Sequence, residues 1–128
     1  MLAMQSFIFG QTASNLPIVG YRFGSSGPRV LILGGVHGDE IEGLWAAHGL
    51  LNHFAQSFAY RLRLTLVPML NLDGCLARER RNARGVDLNR NMRTSDWTNK
   101  VATPRYFPGP LANSEPETQA LVRRKSVV

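Results

Sequence analysis

Residues 30–33, Val-Leu-Ile-Leu, form an unbroken apolar run that stops on Gly34-Gly35. A strand apolar at every position must be covered on both faces, the condition of a strand inside a parallel sheet; residues 30–35 therefore read as such a strand. From Ile41 to Phe58 the apolar positions Ile41, Leu44, Trp45, Ala47, Leu51, Phe54 and Phe58 recur at helical spacing. Glu42 falls in the first turn, where the helix dipole favours an anion. Residues 61–70, RLRLTLVPML, then alternate arginine with leucine at period two and read as the next strand, ended by NLDG at 71–74. Strand, glycine turn, helix and strand make a βαβ unit, so the fold class is α/β.

Around this unit, residues 16–24 read as a short strand and 25–29 as a turn. Residues 75–110 are mostly irregular, and 103–110 form a proline-punctuated loop. Residues 114–125 read as a helix with Ser114 as N-cap, Glu117 as its capping-box partner and Pro116 in the first turn. The sequence of 128 residues, 44% apolar, is one domain by length, able to bury about two thirds of its unfolded surface.

The net charge is +6, from thirteen arginines and only two lysines against nine acidic residues. Four of the arginines lie in RERRNARG at 78–85, and two more in the closing RRK. Arginine without lysine suits forked, bidentate recognition of carboxylates better than diffuse attraction to phosphates; the plainer alternative is a solvated basic face. No aromatic residues are interleaved with the basic cluster, which argues against a nucleic-acid platform. No stretch approaches the roughly 20 apolar residues of a membrane span, and the N-terminus lacks a secretory pattern. A cytoplasmic protein with no membrane partner is the expectation, and the lone Cys75 agrees with a reducing compartment.

The strand ends on GGVHGDE at 34–40, where His37 and Glu40 stand three apart. In open α/β sheets ligands gather beyond the carboxyl ends of the strands. Imidazole and carboxylate are ordinary zinc ligands, and glycines leave room for close approach. The alternative is a histidine that caps the following helix, beside a surface glutamate. Asp39 is likewise open to a capping role.

Further on come NLDG, RRNARGVDLNRN at 80–91 and SEPET at 114–118. With GGVHGDEIEG, these four motifs in this order resemble the M14 family of zinc carboxypeptidases, nearest its murein-peptide amidase branch, which cleaves γ-D-glutamyl-diaminopimelate bonds. The resemblance runs from about residue 10 to about 122. It implies a three-layer α/β/α domain with a mixed, largely parallel sheet, of which residues 1–128 are the N-terminal part. It implies that His37 and Glu40 are zinc ligands, that Arg80 polarises the scissile carbonyl, and that Asn89 and Arg90 grip the substrate carboxylate. The chemistry is sound, since a planar guanidinium gives two parallel hydrogen bonds to a carboxylate and an adjacent amide adds a donor. Arg78, Arg81 and Arg84 stay open as alternatives to Arg80. Asp87 reads as a brace of its loop through backbone hydrogen bonds, and Cys75 as a structural residue.

A catalytic zinc of this kind takes three protein ligands, and the family adds a later histidine and a glutamate general base. Neither has a match here. His48 and His53 lie roughly 12 and 20 Å along the helix from Glu40, whereas two ligands of one zinc stand within roughly 4 Å. His48 reads as a core-edge residue. Glu115 and Glu117 belong to the capping turn of the last helix, and Glu79 lies among arginines that lower its pKa. A truncated gene, a frameshift or an expression boundary would each explain this. A half sheet exposes an apolar edge, so marginal folding or self-association is expected. The functional readings are a zinc-dependent carboxypeptidase or amidase acting on peptides with a free carboxylate, inactive as this chain; an amidohydrolase like succinylglutamate desuccinylase or aspartoacylase; and a non-catalytic remnant that binds carboxylate-ended peptides.

Overall fold

The computed structural model describes residues 4–101 and 103–125. Strand β1 spans Gln5–Gln11, β2 Pro17–Phe23 and β3 Arg29–Leu33; helix α1, Ile41–Gln56, leads to β4, Arg63–Val67. Then come the short α2, Leu72–Ala77, two 3-10 turns at Leu88–Arg90 and Pro104–Tyr106, and α3, Pro116–Lys125. The strand order is β1-β2-β4-β3. The β3–β4 pair is parallel, as the crossover through α1 requires, and β1–β2 and β2–β4 are antiparallel. The chain is α/β with a mixed sheet. β3 lies at an edge, paired among the described residues with β4 alone.

Period-two alternation divides the side chains between two faces. Phe23 stacks on Phe58 and meets Phe54 edge-on, which seats α1 on one face. On the other, Ala120 of α3 packs with Phe9, Ile18, Val67 and Leu70, flanked by Phe7, Leu31, Leu33 and Leu121. A Cβ on Gly10 would collide with that of Ala120; glycine lets α3 sit against the sheet where β1 carries its register shift.

Several boundaries differ from those read in the sequence. β1 was not anticipated, although Phe7 and Phe9 alternate onto the core face. α1 ends at Gln56, because Ser57 turns to extended backbone. NLDG opens α2 instead of closing a strand: Asn71 accepts a hydrogen bond from Gly74 N and so caps a helix. The capping box at 114–117 does not form. Ser114 Oγ donates to Glu115, while the fully buried Glu117 accepts from Ala13 N and Asn82 Nδ2, so tertiary donors outcompete the local cap. Trp45, counted on the apolar face of α1, is 75% exposed. His48 is also exposed, and it bonds the Leu44 carbonyl instead of edging the core.

Candidate active site

The 34–40 loop leaves β3 and is tied to the segment after β4. Gly34 N donates to Val67 O, Leu70 N to Gly34 O and Asn71 N to Gly35 O. The Asn71 side chain reaches Val36 O at 3.3 Å and Arg80 O at 3.2 Å, joining the loop that bears His37 to the one that bears Arg80. A Cβ on Gly38 would strike the Gly74 backbone, so the two chains pass there without a side chain between them. α1 begins after Glu40 with no side-chain cap, so neither His37 nor Asp39 serves as one. Asp39 instead faces Arg105 at 3.8 Å.

The candidate residues converge on one carboxylate. Asp87 is fully buried, and its Oδ1 accepts from His37 Nε2 at 2.8 Å and from Asn89 N at 3.1 Å. Its Oδ2 takes Arg80 Nε at 3.0 Å and a terminal Arg80 nitrogen at 2.9 Å, with Arg90 Nε at 3.6 Å. As N-cap of the Leu88–Arg90 turn, Asp87 also sets how Asn89 and Arg90 leave the chain. It does brace its loop, and it is the hub that four of the five sequence-derived residues share.

His37 stands between two carboxylates, with Nε2 at Asp87 and Nδ1 at Glu40 Oε2, 3.1 Å away; the tautomer with its proton on Nε2 would turn the Nδ1 lone pair toward Glu40. A proton on Nδ1 accounts for that contact as an ordinary hydrogen bond, and two ligands each about 2 Å from one zinc also stand at such a distance. Buried carboxylate, histidine and open Nδ1 reproduce the arrangement by which proteins orient a metal-binding imidazole. The pair fits two of a zinc site's ligands. Among the described residues, no group of three His, Cys, Asp or Glu side chains could hold a metal ion.

The basic cluster separates by partner. Arg80 alone of its four arginines reaches Asp87; Arg81 bonds Glu79 at 2.8 Å and Pro104 O, Arg84 approaches Glu115 at 3.8 Å, and Arg78 caps the exposed end of α2. Tyr106 was missed in the sequence. Its ring lies under the guanidinium groups of Arg80, at 5.1 Å, and Arg90, at 4.8 Å. Together with Asn89, Arg90, Trp97 and Pro108 it lines a cavity of about 340 Å³, on the flank of the 3-10 turn. The hydrogen bond from Arg81 keeps Glu79 below the usual carboxylate range, which suits an ion-pair role and not that of a base near neutral pH. Burial pushes the Cys75 thiol to about 11, so it stays protonated and inert.

Residues 26–126 match the model of the succinylglutamate desuccinylase/aspartoacylase catalytic domain. The chain belongs to that family. It is 38% identical to murein peptide amidase A of Escherichia coli K12, an alignment that takes in 71% of this chain and 41% of the relative. The murein-tripeptide amidase of Escherichia coli O157 superposes with a TM-score of 0.76 at 26% identity, over 99% of this chain and 62% of that one. A carboxypeptidase A from Helicoverpa armigera shares the fold with a TM-score of 0.84 at 21% identity, over 96% of this chain and 37% of that one. The resemblance to murein-peptide amidases and to carboxypeptidase folds is thus established, and these relatives are hydrolases. The chain spans about 41% of the length of the curated relative it matches. Among the described residues, no helix is long and apolar enough to cross a membrane.

Proposed function

We propose that this chain carries part of the active site of a zinc-dependent amide hydrolase that acts on murein-type peptides ending in a free carboxylate. The observation that supports it is the single buried carboxylate, Asp87, which gathers His37, Arg80 and the Asn89–Arg90 turn. His37 Nδ1 and Glu40 would hold the metal. When bound, zinc supplies a Lewis acid and an activated water for attack on an amide carbonyl. Asp87 keeps the His37 ring in one tautomer and aims its lone pair outward. Arg80, with one edge of its guanidinium spent on Asp87, keeps further N–H donors for a carbonyl oxygen that gains charge. Asn89 and Arg90 are exposed on the adjoining turn and would receive the substrate carboxylate.

With two ligands, the chain is expected to bind zinc weakly and to leave γ-D-glutamyl-diaminopimelate peptides uncleaved, yet to bind them through Arg90. Calorimetry with such a peptide tests this: Arg90→Ala should weaken binding roughly tenfold or more and Arg93→Ala should not. Equal affinity in all three proteins sinks the assignment. A second reading, an amidohydrolase of the succinylglutamate desuccinylase type, is favoured by the match over residues 26–126. Tighter binding of succinylglutamate than of the murein peptide would select it.

A further inference from the structure

The 3-10 turn Pro104–Tyr106 is tied to the Asp87 loop through its backbone. Asp87 N donates to Phe107 O at 2.8 Å, and Arg81 reaches Pro104 O at 3.3 Å. Pro104 opens the turn with its φ already set, and Tyr106 N and Phe107 N close it onto Thr103 O and Pro104 O. The Tyr106 ring is thus carried by a short, braced segment, and at 36% exposed it lies at the surface and not in the core.

Three guanidinium groups gather at that ring: Arg90 at 4.8 Å, Arg80 at 5.1 Å and Arg105 at 5.8 Å from its centroid. Their charges repel one another. Arg105 faces Asp39 at 3.8 Å, and Arg80 is held by two short contacts with Asp87. Arg90 is held least, since its contact with that carboxylate is 3.6 Å and its side chain is 53% exposed. A loosely held arginine surrenders rotamer freedom when it takes an anion, and that loss weakens binding. The electron-rich face of an aromatic ring attracts the guanidinium before any ligand arrives. This attraction draws on the charge and flat face of the group, so N–H donors not directed at Asp87 stay available. Asn89, Arg90 and Tyr106 share the wall of the cavity of about 340 Å³, so a group entering it meets the donors and the ring together.

We propose that Tyr106 is a positioning residue whose ring holds Arg90 ready for the carboxylate end of a peptide, an inference that rests on the amide-hydrolase reading of the same site. Tyr106 acts through the guanidinium and not on the reacting atoms. Leucine in its place keeps apolar bulk and loses the π face, whereas phenylalanine keeps the face and loses only the hydroxyl.

Nitrogen NMR relaxation of the arginine Nε groups, with calorimetry on a γ-D-glutamyl-diaminopimelate peptide, tests this in Tyr106→Leu and Tyr106→Phe, each with an unchanged circular dichroism spectrum. In Tyr106→Leu the Arg90 Nε should become more mobile and the peptide should bind about threefold or more weaker, while Tyr106→Phe stays within about twofold of the parent. In an Arg90→Ala background, Tyr106→Leu should change affinity by less than about twofold, because the ring acts through Arg90. An Arg90 Nε as rigid in Tyr106→Leu as in the parent, or an equal loss of affinity with and without Arg90, overturns the proposal. If the parent binds no peptide but leucine still loosens Arg90, the hydrolase reading falls and the positioning role stands.

Discussion

At the scale of single residues, Asp87 connects the most chemistry to the fewest atoms. Removing its charge leaves the largely buried Arg80 without an anion and frees the His37 ring. Breaking a buried pair by deleting one partner costs about 3–5 kcal/mol. Asp87→Ala should therefore lower stability by about 3 kcal/mol or more in urea unfolding, and reduce zinc affinity by roughly 10- to 100-fold as a lost orienting partner does. A cost below about 1 kcal/mol would mean that the hub does not hold the site. Glu117 makes the second case. Burial raises its carboxyl above the ordinary 4.5, with Glu115 adding to the effect, while hydrogen bonds from Ala13 and Asn82 pull the other way. A carboxyl raised in the folded state contributes stability that is complete below 4.5 and lost as pH climbs through the raised value. The stability of the parent relative to Glu117→Gln is expected to fall as pH rises from 4.5 toward neutrality, and a gap that widened instead would show that Asn82 and Ala13 outweigh burial.

At the scale of elements, α1 and the loop before it respond oppositely to one methyl group. Gly43 and Gly49 lie in α1 with open space where a Cβ would sit. Gly43→Ala should stabilise by about 0.5–1 kcal/mol, since alanine loses less backbone entropy in a helix. Gly38→Ala meets the Gly74 backbone, which cannot yield as a side chain can, and should cost about 1–3 kcal/mol and displace His37 from Asp87. Paired melting curves check both, and a neutral Gly38→Ala would show that the loop is loosely held. Trp45 and Phe54 provide a further contrast on one helix. Trp45→Ala should fall within about 0.5 kcal/mol of the parent, whereas Phe54→Ala, in the ring cluster with Phe23, Phe58 and Tyr60, should cost about 3 kcal/mol.

At the scale of the molecule, β3 is an edge strand, paired among the described residues with β4 alone, and its apolar residues Val30 to Leu33 are partly exposed. Exposed Ile41 and Trp45 on α1 and Leu76 on α2 add further apolar surface. Natural sheets cover or interrupt such edges. Sedimentation velocity over a roughly hundredfold concentration range should show self-association, and a single monomeric species throughout would contradict it.

The sequence by itself determined the elements of the βαβ unit, the glycine turn that carries His37 and Glu40, and the family, because period and motif spacing are local. Its resemblance to a known family nominated Asn89 and Arg90, and the arginines beside Glu79 marked that carboxylate as a poor base. Only the tertiary structure decided which of four neighbouring arginines faces the site, that Asp87 unites residues fifty positions apart, that Tyr106 lies beneath two guanidinium groups, and that Glu117 turns inward instead of capping its helix. These follow from contacts between distant segments, where burial and the demand that each buried polar group find a partner override local preference.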